Sequence, residues 1–166
     1  AGDLGLFEAR HPTPRAFFSA CPVAVNSPTA ALRTLAKATA SGSATIETTQ
    51  PACADPKAEG AAKILRHAPE SLTLDVITTG AGWLVVQDLL YPGWQATVDG
   101  VAVEMVHANA VGRALRVGQG HHEVVMTFAP ASVKAGLWLS GAGWLVWLLL
   151  AITLVLLRFR TRASYQ

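Results

Sequence analysis

Hydrophobic positions follow three different patterns along the chain. An apolar stretch without charged residues covers 135–157, while apolar and polar residues alternate in short runs through 61–134. The first 60 residues mix short apolar runs with proline, serine and glycine. These patterns predict an α+β protein with a small α/β lobe at 1–60, an antiparallel β-sandwich at 61–134 and one transmembrane helix at 135–157.

The apolar stretch is 23 residues long. At about 1.5 Å of rise per residue it measures roughly 34 Å, which is enough to cross a hydrocarbon core of about 30 Å. The alternative is a buried helix of a soluble protein, but soluble core helices are seldom apolar on every side over this length. We therefore predict a single transmembrane helix.

Basic residues flank this helix unequally. Lys134 precedes it, whereas Arg158, Arg160 and Arg162 follow within the tail 158–166. The excess of positive charge predicts a cytoplasmic C-terminus. We expect the chain in the inner membrane of a bacterium, with its N-terminal domain in the periplasm. Export of that domain needs a signal, so we expect a signal peptide or a larger membrane-embedded portion to have preceded Ala1.

The first 60 residues carry a strand–helix–strand pattern. Residues 15–21 and 44–49 are typical of strands, and a helix is expected from Pro28 to about Thr39, with Ser27 as its N-cap. Such a unit is compatible with a parallel strand pair and a right-handed crossover.

The alternating region predicts about six or seven short strands at intervals of about ten residues, which is typical of an antiparallel sandwich. Asp99-Gly100 lies between two alternating runs and predicts a type I′ hairpin. Gly118-Gln119-Gly120 marks another tight turn.

The chain has two cysteines, Cys21 and Cys53. In an oxidising compartment we favour a disulfide between them, which would stabilise the fold by roughly 3 kcal/mol, over two free buried thiols. Their spacing fits neither a zinc site nor a redox motif.

Charge and polar motifs argue against several functions. The net charge is +2, and the basic residues outside the tail are scattered, so nothing indicates nucleic-acid binding. His121 and His122 beside Glu123 are adjacent in a predicted strand and would point to opposite faces. Neither Ser19 nor Cys21 lies in a G-x-S-x-G turn. We therefore predict no catalytic, cofactor or metal site, and no enzymatic activity in this chain.

The run from Leu90 to Gly100, LYPGWQATVDG, resembles a signature of the YfhO-type bacterial membrane proteins, which are related to GT-C glycosyltransferases. Asn109, Arg113, the segment 120–124 and Phe128-Ala129-Pro130 follow in the order expected of that family. The resemblance implies an extracytoplasmic α/β and β-sandwich domain ahead of a last transmembrane helix. Family members carry their catalytic residues among about a dozen earlier helices, and this chain holds none of those helices, so the family's catalysis is not implied.

The signature also has a structural interpretation. Pro92-Gly93 is expected to turn the chain after Tyr91, Trp94 to fill the core, and Asp99-Gly100 to close a hairpin.

The surface of the predicted transmembrane helix carries a functional hint. Trp138 is expected near the outer interface, where it would anchor the helix together with the three tail arginines. Trp144 and Trp147 lie near the bilayer centre, one turn apart. Small residues that would allow close helix packing are Gly136, Ser140 and Gly143. The two central tryptophans either face lipid or contact partner helices or a partner's aromatic cofactor, and we favour contact.

Three functions fit these patterns. The first is a non-catalytic single-span accessory subunit that docks onto integral membrane subunits of a larger complex, with photosynthetic and respiratory assemblies as examples. The second is the C-terminal part of a YfhO-like glycosyltransferase. The third is a membrane-tethered carbohydrate- or envelope-binding module, for which Tyr91 and Trp94 are the candidate aromatics. Membrane lipid is an expected partner, and the sequence indicates no small-molecule ligand.

Overall fold

The structure is a computed structural model that describes residues 13–37, 44–49, 52–53 and 55–163, with side chains up to Thr153 apart from that of Lys134. The chain divides into two compact units, Ala1–Phe128 and Ala129–Gln166. The elements of the first unit are β1 Ala16–Ser19, β2 Val23–Val25, α1 Pro28–Lys37, β3 Thr45–Glu47, β4 Gly60–Ala68, β5 Ser71–Thr78, β6 Gly82–Val86, β7 Trp94–Val98, β8 Val101–Val103, β9 Val106–Ala108, β10 Gly112–Val117 and β11 Gly120–Phe128. The second unit holds helix α2, Ala131–Ala163.

The strands of the first unit form two sheets. A six-stranded sheet has the order β1-β6-β10-β9-β3-β2, and a five-stranded sheet has the order β4-β5-β11-β7-β8. All described pairings are antiparallel except that of β2 with β3. The α+β class with a sandwich-like pair of sheets is therefore confirmed.

The main core is built from alternate residues of both sheets. Leu72, Leu74 and Val76 of β5 are buried together with Leu84 of β6 and Leu115 of β10. Because side chains alternate across a strand, every second residue of these strands is available for the core. This alternation is the pattern from which the sandwich was predicted.

A second, smaller core lies on the opposite face of the six-stranded sheet. Trp83 and Val85 alternate with Leu84 along β6 and pack with Ile46, Ala108 and Ala114. Strand β6 is buried along its whole length because both of its faces are covered. This explains why its sequence reads as a continuous apolar run.

The strand–helix–strand unit differs from the prediction in its first strand. The parallel pair around α1 is β2 with β3, whereas the predicted strand at 15–21 became β1, which pairs antiparallel with β6. Helix α1 begins as predicted, with Ser27 Oγ accepting a hydrogen bond from the N–H of Ala30 at 3.3 Å. The predicted helix break at 41–43 lies outside the described residues.

The predicted lobe at 1–60 is not a separate sheet in the described residues. Strands β1, β2 and β3 belong to the same sheet as β6, β9 and β10, which come from the later part of the chain. The segment 1–60 and the later strands therefore contribute to one sheet. Asn109 is part of the reason, because its Oδ1 accepts the N–H of Thr45 and its own N–H donates to the Thr45 carbonyl, both at 2.9 Å.

Phe18 fills the space beside two strand ends. Its ring lies where a Cβ would stand on Gly60, the first residue of β4, and on Gly82, the first residue of β6. A side chain at either glycine would collide with the ring. The ring therefore helps to close the sandwich where β1 runs next to β4.

The Asp99-Gly100 hairpin is confirmed. Both residues have positive φ angles, 52° and 81°, as a type I′ turn requires, and they join β7 to β8. The hairpin positions β8 at one edge of the five-stranded sheet.

Within the described part of the chain, one helix is long and apolar enough to cross a membrane, and its candidate span is Ala131–Thr153 in α2. Together with the β-rich unit, it fits a single-pass membrane protein. The backbone of α2 continues through Arg158, Arg160 and Arg162, whose side chains lie outside the described part of the chain, as do residues 164–166.

Burial predicts which leucines hold the sandwich together. Leu74 is 0% exposed and Leu65 is 55% exposed. We expect Leu74→Ala to lower the free energy of unfolding by about 2–5 kcal/mol because it leaves a cavity in the main core. The matched control Leu65→Ala is expected to change it by less than about 1 kcal/mol. Denaturant unfolding of the detergent-solubilised chain, followed by tryptophan fluorescence, measures both, and equal losses would contradict this description of the core.

Candidate functional site

The residues singled out in the sequence lie in two separate places. The helix-packing candidates are on α2, in the second unit, and the signature residues are in the first unit.

Trp144 and Trp147 form an aromatic pair on the surface of α2. Their ring centroids are 6.0 Å apart and the rings meet edge to face at 77°. Their exposed fractions are 71% and 63%. Trp138, the predicted interface anchor, is also exposed. The pair is thus a preorganised aromatic surface that helix α2 itself leaves uncovered.

A shallow notch lies beside this pair. It has a volume of 420 Å³ and is lined by Ser140, Gly143, Trp144 and Trp147. A Cβ placed on Gly136 or Gly143 would have no atom within 4 Å. Spacings of four and three residues place Gly136, Ser140 and Gly143 on one side of the helix. That side permits another helix backbone to approach closely.

In the β-rich unit, the signature residues form a turn followed by a strand. Trp94 N–H donates to the carbonyl of Tyr91 at 3.2 Å, and Gly93 has a φ of 109°. Proline at the second position and a glycine with positive φ at the third are the requirements of a type II turn. The turn places Trp94 at the start of β7.

Trp94 packs against a buried cation. The guanidinium carbon of Arg113 lies 3.8 Å from the centroid of the Trp94 ring. The ring centroids of Trp94 and Phe128 are 5.5 Å apart, and the two ring planes are inclined by 46°. Arg113 is only 3% exposed. A guanidinium over an indole face is a favourable cation–π contact, and burial strengthens it. Trp94 is thus partly buried against the main core, and its ring also contacts the buried guanidinium of Arg113.

Asp88 connects Arg113 to a second arginine. Both of its carboxylate oxygens accept hydrogen bonds from Arg15, at 2.8 and 2.7 Å. Arg113 Nη2 lies 3.8 Å from Asp88 Oδ2, and Arg113 Nε donates to the Asp88 carbonyl at 3.3 Å. His67 Nε2 is 2.9 Å from Arg15 Nη2. Among the described residues, Arg113 Nη1 has no hydrogen-bond partner.

The electrostatics of this cluster follow from its contacts. The hydrogen bonds from Arg15 lower the pKa of Asp88, and the charge of Arg113 adds to the effect. Burial lowers the pKa of Arg113, whereas the charge of Asp88 raises it. An arginine stays protonated in proteins, so the buried charge must be compensated rather than lost. Asp88 and the face of Trp94 provide that compensation.

A groove of 740 Å³ runs along the signature turn. Its lining includes the aromatic residues Tyr91 and Trp94 and the polar residues Gln95, Glu104 and His107. The remaining lining residues are Leu90, Pro92, Gly93, Ala96, Thr97, Ala102, Val103, Met105, Val125 and Thr127. We call it the signature groove.

A second groove of 630 Å³ is lined by Trp83 and Arg116 and by two carboxylates, Glu47 and Glu104. Val103 and Glu104 line both grooves. The guanidinium of Arg116 lies 5.0 Å from the centroid of the Trp83 ring. We call this the acidic groove, since its lining holds two carboxylates against one guanidinium.

The disulfide-linked segment contacts Trp83, which lines the acidic groove. Cys21 and Cys53 are joined, with Cα atoms 4.1 Å apart. The carbonyl of Ala52 accepts a hydrogen bond from Trp83 Nε1 at 2.7 Å. The crosslinked segment thus satisfies the buried indole N–H of the groove's aromatic residue.

The neighbouring histidines of β11 have different acidic partners. His121 Nε2 is bonded to Asp75 of β5, whereas His122 Nδ1 lies 2.7 Å from Asp99 at the hairpin tip. The hydrogen bonds from His122 and from the Glu123 N–H lower the pKa of Asp99. Within the part of the chain that the structure describes, no three histidine, cysteine, aspartate or glutamate side chains are placed to hold a metal ion.

The Arg15–Asp88–Arg113 cluster was not predicted, because Asp88 lies 73 positions from Arg15 and 25 positions from Arg113 in the sequence. A signal was present, because Arg113 stands in phase with Leu115 and Val117, two core residues of β10. A charged residue at a core position of a strand indicates a buried ion pair.

Comparison of the chain with protein-family models, with curated proteins and with solved structures gives no match. The resemblance to YfhO-type proteins therefore stays a prediction.

The cluster predicts a dependence of stability on Asp88. We expect Asp88→Asn to lower the free energy of unfolding by about 1–3 kcal/mol at neutral pH, because it leaves the buried Arg113 charge poorly compensated. The folded-state pKa of Asp88 lies below its unfolded value of about 3.9. The ion pair therefore stabilises the fold fully above the unfolded pKa, and this stabilisation is lost as the pH falls through the folded-state pKa.

Denaturant unfolding of the wild type and of Asp88→Asn from pH 7 to pH 3 measures this effect. The difference between their free energies of unfolding is expected to narrow as the pH falls. Glu70→Gln removes the same charge from the exposed β4–β5 turn and serves as the control. A difference between wild type and Asp88→Asn that is independent of pH would contradict the ion-pair explanation.

Proposed function

We propose that the chain is a non-catalytic accessory subunit of a larger bacterial membrane complex, anchored by α2. The observation that carries the proposal is the exposed Trp144–Trp147 pair beside the notch at Ser140 and Gly143. Its partners would be membrane lipid and the integral subunits of that complex. Photosynthetic and respiratory assemblies are the examples we consider.

The position of the pair in the apolar stretch supports contact with protein. Both tryptophans lie near the middle of 135–157. There the indole N–H has no headgroup or water to bond to, whereas tryptophan in single-span helices is usually enriched at the interfaces. A partner helix provides hydrogen-bond acceptors and van der Waals contacts in the same place.

The proposed location is the inner membrane, with the β-rich unit in the periplasm and the C-terminus in the cytoplasm. The excess of arginine after the span supports this orientation. The Cys21–Cys53 disulfide supports an oxidising compartment for the first unit.

The contacts of the polar residues support a non-catalytic role. Asp88 forms an ion pair with Arg15, and Asp75 and Asp99 are hydrogen-bonded to His121 and His122 within the β-rich unit. These carboxylates fix strands and turns to one another, which is a structural use of charge.

Replacing the aromatic pair is expected to weaken association. The double variant Trp144→Leu with Trp147→Leu keeps the helix apolar but removes the aromatic surface. We expect about tenfold less partner protein to co-purify with it in mild detergent, since a loss of about 1.4 kcal/mol of contact corresponds to a factor of ten.

The matched control is Trp138→Leu, which removes a tryptophan at the expected interface and leaves the pair intact. We expect it to retain the partner. A wild-type chain that runs as a free monomer after gentle extraction from its native membrane would contradict the proposal.

Membrane orientation is tested by labelling single added cysteines, because both native cysteines are in the disulfide. Ile77→Cys, at an exposed position of β5, is expected to react with a membrane-impermeant maleimide added to intact spheroplasts. Gln166→Cys is expected to react only after the membrane is opened. The reverse result would overturn the proposed topology.

A further inference from the structure

We infer that the open edge of β8, together with the two grooves beside it, is a strand-addition site for an extended basic segment of a partner protein. The inference rests on the proposed function, since the partner is the complex on which the chain docks. The strand-addition site would give the β-rich unit its own contact with the partner, in addition to the contact proposed for α2.

The hairpin determines which backbone groups are open to a partner. Val98 pairs with Val101, Thr97 with Ala102 and Ala96 with Val103. In a two-residue hairpin the residues next to the turn form a hydrogen-bonded pair, and hydrogen-bonded and non-hydrogen-bonded pairs alternate from there. Ala102 is therefore in a non-hydrogen-bonded pair. Its N–H and C=O point away from β7, toward the free edge.

Two of the three other sheet edges, β4 and β1, carry protection that β8 does not. Strand β4 bears Lys63 and Arg66 and has a bulge between Ile64 and Arg66. Strand β1 is covered by β4, because the ring of Phe18 in β1 packs against Gly60 at the start of β4. Charges, bulges and covering elements are the devices that prevent unwanted strand pairing.

Strand β8 reads Val-Ala-Val and contains no charge or proline. Val101 is 68% exposed. Among the described residues, the ladder partner of β8 is β7 alone. An uncharged, apolar and open edge is suited to pairing with another strand.

The two grooves give such a strand room for its side chains. Val103 and Glu104, at the end of β8, line both the signature groove and the acidic groove. Side chains of an added strand alternate between its two faces. Successive residues would then enter the two grooves in turn, with an aromatic or aliphatic residue against Tyr91 and Trp94.

The acidic groove determines which charge is favoured on the residue of the added strand that enters it. Glu47 and Glu104 both line it, and Glu47 Oε1 is buried without a hydrogen-bond partner among the described residues. The guanidinium that also lines it, Arg116, already lies against Trp83. A lysine or arginine of the added strand would pair with the carboxylates that line the groove, and such charge-assisted hydrogen bonds are among the stronger ones. The charge of the groove thus favours a basic polypeptide over a neutral glycan.

Site-specific photo-cross-linking in the native membrane tests the inference. The full chain carries p-benzoylphenylalanine in place of Val101 in one version and in place of Trp147 in another, and mass spectrometry identifies the cross-linked peptide. We expect the Val101 probe to capture an extended segment of a complex subunit with a lysine or arginine next to an apolar residue.

Ala102→Pro removes the outward N–H, and proline is tolerated on sheet edges. It is expected to lower the yield from the Val101 probe about tenfold and to leave the Trp147 yield unchanged. Ala102→Ser keeps the N–H and is the matched control. Glu104→Arg reverses the charge at the groove and is expected to lower the Val101 yield by a similar factor, which keeps the test decisive if the proline variant does not fold.

The outcomes separate the two proposals. Capture by the Trp147 probe without capture by the Val101 probe would overturn this inference and leave the accessory role standing. Failure of both probes would overturn both. A glycan or a second copy of this chain on the Val101 probe would also overturn the inference, as would a Val101 yield that neither Ala102→Pro nor Glu104→Arg lowers.

Discussion

Arg113 carries a full positive charge at a position in β10 that shares its phase with the core residues Leu115 and Val117. A charge in that position is costly unless the surroundings compensate for it. Asp88 at the end of β6 and the ring of Trp94 at the start of β7 provide the compensation, and Arg15 holds Asp88 in place. The need to compensate this charge therefore brings together four separate segments of the chain, around Arg15, Asp88, Trp94 and Arg113. It also explains why the turn before Trp94 has to be tight, since the ring must reach the guanidinium.

The sequence predicted those features that depend on local physics. Alternation predicted the sandwich, the Asp99-Gly100 pair predicted its hairpin, and an uncharged run of sufficient length predicted the membrane-spanning candidate. The disulfide that was favoured over free thiols is present. In each case the information lies within a few neighbouring residues or, for the disulfide, in a choice between two alternatives.

Features that depend on long-range pairing were not predictable in the same way. The strand at 16–19 pairs with β6 some 70 positions later, so nothing in its own sequence distinguishes a separate lobe from an edge of the main sheet. The short strand β2 was missed because three residues offer too little alternation to recognise. The signature groove is formed where β8, β9 and the turn at Tyr91 converge. The acidic groove is formed where residues next to β8 meet β3, β6 and β10, and only the assembled sheets bring these segments together.

Phe18 has a consequence for how this sequence is able to change. Its ring occupies the space above Gly60 and Gly82, so neither glycine tolerates a side chain while the ring is there. A smaller residue at position 18 would relieve both glycines at once, but would leave a gap at the seam of the two sheets. Substitutions at these three positions are therefore expected to be correlated. In homologous sequences, a smaller side chain at position 18 would accompany a larger one at position 60 or 82, so that their summed volume stays nearly constant.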